Sequence, residues 1–252
     1  MIELGYSEVF WSALLVVLAI ALTLWWKIPV QKDLALGSVR AFVQLVAVGY
    51  VLKYIFDIDS VWLIHLAILI MTLVGAQAAA SRVREIKRPI MVTFLSIGTG
   101  SAITIGLLLA LRVISMEARY LIPLAGMIIS NSMNAASLTI NRLVSDIRQN
   151  REAIETSLAL GKTWRAASIR FQKDAVVAGM LPTLNFLKTV GVVALPGAMT
   201  GMILAGVEPI KAILLQIVVA YMLAAAVSVT SVVALELTVR RFFSPHHQLL
   251  LR

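Results

Sequence analysis

The chain has 252 residues, of which 60% are apolar and only 14% charged, against about 45–50% and about 25% in a soluble domain. With a mean hydropathy of +0.92 it carries more apolar side chain than a soluble fold of this size can bury. That excludes a soluble enzyme, a disordered chain and a nucleic-acid-binding domain. Apolar runs of about 20 residues, rather than alternating segments of about 10, predict an all-α fold, a polytopic transmembrane helical bundle, and not a β-barrel. The net charge of +9 is assigned to loops that face anionic lipid, not to nucleic acid. With no cysteine, disulfides and thiolate metal sites are excluded.

Seven apolar runs follow in chain order. The first, residues 9–26, ends in Trp25-Trp26-Lys27, an aromatic and basic interface anchor. The opening Met1-Ile2-Glu3-Leu4 lacks the basic start of a cleaved signal peptide, so this run is expected to be a retained helix. The second, 34–56, carries Arg40 and Gln44; the third covers 61–80. The fourth, 90–113, opens after Pro89, and the fifth covers 120–143. A polar stretch, 145–173, is too charged to span. The sixth run, 175–206, is too long for one straight crossing and is expected to break at Pro182 and Pro196. The seventh covers 210–239.

Loop charge sets the expected orientation. The loops after odd-numbered runs are basic: Lys27 and Lys32; Arg82, Arg84, Lys87 and Arg88; the polar stretch; and Arg240, Arg241 and Arg252. Those after even-numbered runs are acidic or near neutral, as in Lys53 with Asp57 and Asp59. The positive-inside rule then places the N-terminus outside and the C-terminus inside, in a multi-pass protein of the plasma (inner) membrane. No polar segment is long enough for its own core. The expected organisation is a single transmembrane domain, 1–252, with one inward-facing segment at 145–173.

That segment has apolar residues at Ile147, Ile154, Leu158, Trp164 and Phe171, near helical spacing, and charges on the remaining face. It predicts an amphipathic helix pair interrupted at Gly161, against the alternative of a solvated or lipid-lying loop. Leu160-Gly161-Lys162-Thr163 imitates the end of a phosphate-binding loop. However, Thr156 stands where that motif needs its first glycine, and no strand precedes it. No nucleotide cofactor is therefore assigned to this chain.

The apolar runs hold almost no carboxylate or histidine, which argues against ion-gradient coupling. There is also no H-E-x-x-H or G-x-S-x-G, which argues against an intramembrane hydrolase. The exception in polarity is the fifth run. Ser130, Asn134, Ser137 and Asn141 share one helix face over about 16 Å, with Asn131 beside it and Met127 one turn above. Lipid satisfies none of these amides, so the stripe must face protein or water. It either lines a translocation path or serves as interhelical hydrogen-bonding glue. Arg40 either snorkels to the interface or faces a cavity. Lys188 reads as deeper in its run and directed at a cavity or partner. Gly197-x-x-x-Gly201 suits close helix packing, and Pro196 with Gly197 suits a hinge or re-entrant break. His246-His247 reads as a flexible surface tail rather than a metal site, and metal ligands are left unassigned.

Two resemblances complete the reading. Glu155-Thr156-Ser157-Leu158-Ala159-Leu160-Gly161 resembles the E-A-A-x-x-x-G signature of ABC-transporter permeases, in which a short cytoplasmic helix inserts into the ATPase subunit. The I-x-L-P continuation of that signature comes later here, at Leu181-Pro182. Three segments resemble the Fet-type iron-export permeases and the plant aluminium-tolerance permeases of the same group: the run Arg40 to Leu45, the Asn/Ser/Met stretch Pro123 to Arg142, and the stretch Ala194 to Gly206. This resemblance implies a homodimeric membrane subunit that pairs with a cytoplasmic ABC ATPase carrying the ATP and Mg. It implies ATP-driven iron export; an anionic solute such as a nucleotide sugar is the alternative cargo, and a non-transporting membrane scaffold is a separate reading of a different class. The polar stripe and the cations of the apolar runs give the expected substrate pathway: Met127, Ser130, Asn131, Asn134, Ser137, Asn141, Arg40, Gln44 and Lys188. The polar segment and its E-A-A-x-x-x-G likeness put the expected ATPase coupling at Glu155, Gly161, Trp164 and Arg165.

Overall fold

The computed structural model describes residues 5–83 and 86–250. Met1-Ile2-Glu3-Leu4, and Arg84 and Arg252 of the basic loops, lie outside the described residues. Among the described residues there are nine helices and no strand. The chain divides into two compact units, Met1–Asp59 and Ser60–Arg252.

The first unit is a helical hairpin of α1 (Tyr6–Trp25) and α2 (Gln31–Ile58). The turn between them holds Pro29 and places Lys27 at positive φ. At the start of α1 the Gly5 N–H donates to the Glu8 carboxylate at 2.8 Å, which caps the first turn. Phe10, Trp11, Trp25, Leu45 and Tyr50 are all exposed, and Ile55 is the buried residue of α2. Helices this apolar and this exposed require lipid or protein against them.

The second unit contains α3 (Val61–Ser81), α4 (Pro89–Ala110), α5 (Ala118–Gln149), α6 (Arg151–Ala159), α7 (Trp164–Thr189), α8 (Gly197–Leu204) and α9 (Pro209–Val239). Helix α5 is its centre and packs against α3, α4, α7 and α9. Its 32 residues span about 48 Å, longer than the ~30 Å hydrocarbon layer. The polar end from Arg142 to Gln149 therefore extends past the apolar zone.

Small residues bring these helices together. A Cβ placed on Gly100 of α4 would lie 2.0 Å from Thr230 Oγ1 of α9. One on Gly179 of α7 would lie 2.0 Å from Thr139 Oγ1, and 2.9 Å from both the Ala135 carbonyl and Ser231 Oγ. The glycine C–H in that place points at these oxygens, a weak contact that only glycine permits. Thr230 also donates to Ser132 Oγ at 3.0 Å, and Thr93 of α4 donates to the Ala76 carbonyl of α3 at 2.8 Å. The core is thus built from close-packed small and hydroxyl-bearing residues as much as from large apolar ones.

Five helices, α2, α3, α4, α5 and α9, are long and apolar enough to cross a membrane, and α1 adds a shorter apolar stretch, Phe10–Trp25. This is a polytopic helical membrane protein. The sixth run differs from expectation. Helix α7 starts inside the polar stretch at Trp164 and passes unbroken through Pro182 to Thr189. The run breaks at residues 190–196, so the expected break at Pro196, the N-cap of α8, is present and that at Pro182 is not; in the break Gly191 takes positive φ and its N–H bonds to the Ala194 carbonyl at 3.0 Å. A proline removes one helical donor, and neighbouring helices in a membrane protein can tolerate that loss. The eight residues of α8 reach about 12 Å, too short to cross.

Candidate functional site: a polar cleft and a braced turn

Helix α5 aligns Asn131, Asn134, Ser137 and Asn141 because their spacing follows the helical repeat. Facing them, Gly179 lets α7 approach closely, and Pro182 and Thr183 follow one turn later. The result is a cleft of about 230 Å³ lined by Asn131, Asn134, Ser137 and Asn141 of α5, Gly179, Pro182 and Thr183 of α7, and Arg82 at the end of α3. A second hollow of about 380 Å³ shares Asn141 and continues along Val144, Ser145 and Arg148.

The polar groups of the cleft fall into two sets. Asn131 donates to the Met127 carbonyl at 2.8 Å and Ser137 to the Met133 carbonyl at 2.9 Å, so both are partly satisfied by their own helix. Asn134 and Asn141 are exposed, and among the described residues no hydrogen bond engages their amides. Each offers two N–H donors and a carbonyl acceptor. Arg82 adds the one positive charge of the lining. The lining holds no carboxylate or imidazole. Among the described residues no three of His, Cys, Asp and Glu are grouped to hold a metal.

The structure does not gather every expected pathway residue here. Ser130 is exposed on α5 outside this lining and donates to the Met127 carbonyl at 3.1 Å; Met127 is half-buried. Lys188 lies in the last turn of α7, exposed, and not deep in its helix as expected, because α7 ends at Thr189. Arg40 and Gln44 are exposed on α2, in the other compact unit. Sequence reading missed Arg82, which it counted only as loop charge. It also missed Gly179 and Thr183, which become lining only through the pairing of α5 with α7.

The second assembly is the α6–α7 turn. Gly161 takes φ +84, a conformation that side chains resist, and Thr163 caps α7 by accepting from Ala166 N–H at 3.3 Å. Ile154 is buried, while Glu155, Leu160 and Lys162 are exposed. Trp164 stacks on Phe243 at 5.4 Å between centroids, and the Arg165 guanidinium donates to Glu236 at 2.6 Å while lying over the Trp164 ring. Arg240 shares the same carboxylate at 2.7 Å. A groove of about 460 Å³ runs between Glu155, Leu158, Gly161 and Lys162 on one side and residues 246–249 on the other. The tail at His246-His247 is therefore not a free surface segment. Phe242 and Phe243 are buried and fold it back onto the turn. Near the same end, partial burial and the neighbouring Arg88 hold the Arg241 guanidinium below its ordinary pKa.

The sequence model of the uncharacterised protein family UPF0014 matches residues 6–243. The chain is 38% identical to a protein of Escherichia coli K12 named "Probable iron export permease protein FetB", over 94% of this chain and 92% of that protein. It is 39% identical to the UPF0014 membrane protein STAR2 of rice, Oryza sativa, over 93% of this chain and 82% of that one. It is 39% identical to the protein ALUMINUM SENSITIVE 3 of Arabidopsis thaliana, over 94% and 87%. No solved structure matches the chain.

Proposed function

The chain belongs to the UPF0014 family, and from that premise we propose that it is the membrane subunit of an ABC transporter that exports iron, driven by a separate cytoplasmic ATPase. The observation that carries the cargo is the likeness to the Escherichia coli protein named as an iron-export permease, over 94% of this chain. In this reading the whole chain, 1–252, is one permease domain in the plasma membrane. Its N-terminus is outside, and two copies pair with two ATPase subunits that carry ATP and Mg. Supporting the coupling role is the exposed α6–α7 turn, with Glu155 and Gly161 on one groove and Trp164 and Arg165 behind them.

The path we propose runs through the α5–α7 cleft, where Asn131, Asn134, Ser137 and Asn141 meet Arg82. Met127 and Ser130 continue it along α5, and Lys188 stands at the last turn of α7. Bare iron prefers carboxylate and imidazole ligands, and this lining supplies amides, hydroxyls and one guanidinium. The cargo is then iron held in an anionic complex, whose donors come with it. Arg82 in the lining also favours a second reading, transport of an anionic solute such as a nucleotide sugar. A third, a scaffold that moves nothing, is separated by flux.

The test is reconstitution in vesicles with the ABC ATPase encoded nearest to this gene. ATP-dependent movement of iron–citrate is expected, with uncoupled ATP hydrolysis in Gly161→Trp and Glu155→Lys. Movement of a nucleotide sugar instead of iron would favour the second reading. Flux of neither above that of empty vesicles would favour the scaffold. Normal coupling in both variants would overturn the role of the turn.

A further inference from the structure

We propose that residues 242–250 are a positioning strap that fixes the α6–α7 turn and joins it to α9; this deepens, and for its coupling consequence rests on, the reading of that turn as the ATPase contact.

The turn has little to hold it by itself. Residues 160–163 are exposed and contain a glycine at positive φ. Beyond its own backbone bonds and the Thr163 cap, its anchors come from elsewhere. The segment after α9 folds into a tight hairpin, closed by Ser244 N–H to the Gln248 carbonyl at 2.8 Å and Leu250 N–H to the Phe242 carbonyl at 2.7 Å. Its two phenylalanines are less than a tenth exposed. Phe243 stacks nearly parallel on Trp164, the first residue of α7, and the Trp164 N–H donates to His247 Nδ1 at 3.4 Å. One residue on, Arg165 is tied to Glu236 of α9.

Two consequences follow from this geometry. First, the strap supplies one wall of the groove whose other wall is the turn, so a chain that docks on Glu155 and Gly161 also meets His246 to Leu249. Second, a load on the turn enters the bundle twice. It enters α7 through the covalent chain, and it enters α9 through the Trp164–Phe243 stack and the Arg165–Glu236 pair. Helix α9 in turn packs on α4, α5 and α7. Phe243 is thus a positioning residue for coupling, acting through Trp164.

The experiment uses the full chain in lipid nanodiscs, with Phe243→Ala, the conservative Phe243→Tyr, and a chain ended after Arg241. Amide hydrogen exchange at residues 160–165 is expected to quicken about tenfold or more in the first and third and to stay near the unaltered rate in Phe243→Tyr. Interior amides of α4 serve as the control for folding. In vesicles with the ATPase encoded nearest the gene, solute moved per ATP should fall several-fold in Phe243→Ala and recover in Phe243→Tyr. Unchanged exchange in both disruptive variants would overturn the strap. Faster exchange with undiminished solute per ATP would overturn its part in coupling. Loss of ATP-driven flux in the unaltered chain would remove the ATPase reading and that part with it, while the exchange measurement would still decide whether the strap holds the turn.

Discussion

At Gly179 backbone meets hydroxyl more closely than any side chain allows. Thr139, Ser231 and the Ala135 carbonyl all surround the position a Cβ would take. Gly179→Val must therefore push α7 off α5 or force Thr139 from its rotamer, at a cost of about 1–3 kcal/mol. Thermal unfolding in detergent should show a clearly lowered Tm. Gly201→Ala, with nothing among the described residues within 4 Å of the added methyl, should leave Tm unchanged, and equal effects would show that the contact at Gly179 is not tight. Asn134 poses the opposite case: it is exposed within the cleft, and among the described residues no hydrogen bond engages it. Asn134→Leu should therefore leave unfolding unaltered while abolishing ATP-driven flux; loss of the assembled dimer instead would assign the stripe to packing. The stripe was legible in the sequence, since Asn134 and Asn141 stand out in an apolar run at helical spacing. Arg82 was not, because nothing in the local pattern says which helix end will lie opposite them.

Among the elements, α6 and α7 show how far periodicity reaches. The apolar spacing of Ile154, Leu158 and Trp164 and the glycine predict two helices interrupted at Gly161, and the structure has that break, at residues 160–163. Pro182 misled, because a proline that would end a soluble helix sits within α7 without breaking it. Replacing it should then cost nothing: Pro182→Ala is expected to hold or raise Tm, since proline disfavours a helix interior by about 3 kcal/mol relative to alanine. A lowered Tm would mean that the proline ring packs usefully in the cleft. The tail misled for a different reason. His246-His247 sets a metal pair against a flexible tail, while the signal that fixes the segment is Phe242-Phe243, two apolar residues that stand outside any apolar run and carry no motif. The ion pair behind the turn holds geometry more than stability. Both Arg165 and Glu236 are partly exposed, so Arg165→Ala should shift unfolding by less than about 1 kcal/mol, and a larger loss would show that the pair is shielded from water.

For the molecule as a whole, composition alone established a membrane-embedded helical protein, while the number of crossings depends on α7. Its uncharged stretch, 175–187, covers only about 20 Å, short of the ~30 Å hydrocarbon layer. It can cross only if Lys173, Asp174 and Lys188 extend toward the interfaces or the bilayer thins around it. Because the chain contains no cysteine, single substitutions report cleanly. Lys162→Cys and Val193→Cys should react with an impermeant maleimide from opposite faces of sealed vesicles. Reaction from one face would make α7 a re-entrant element. The close contact at Gly179 has a mechanical consequence in either case. It lies about 22 Å from the start of α7 at Trp164 and about 15 Å from its end at Thr189, and no helix break intervenes. A rod pinched there has a fulcrum with unequal arms. Rocking the Trp164 end by some 3 Å would swing the Thr189 end about 2 Å the other way.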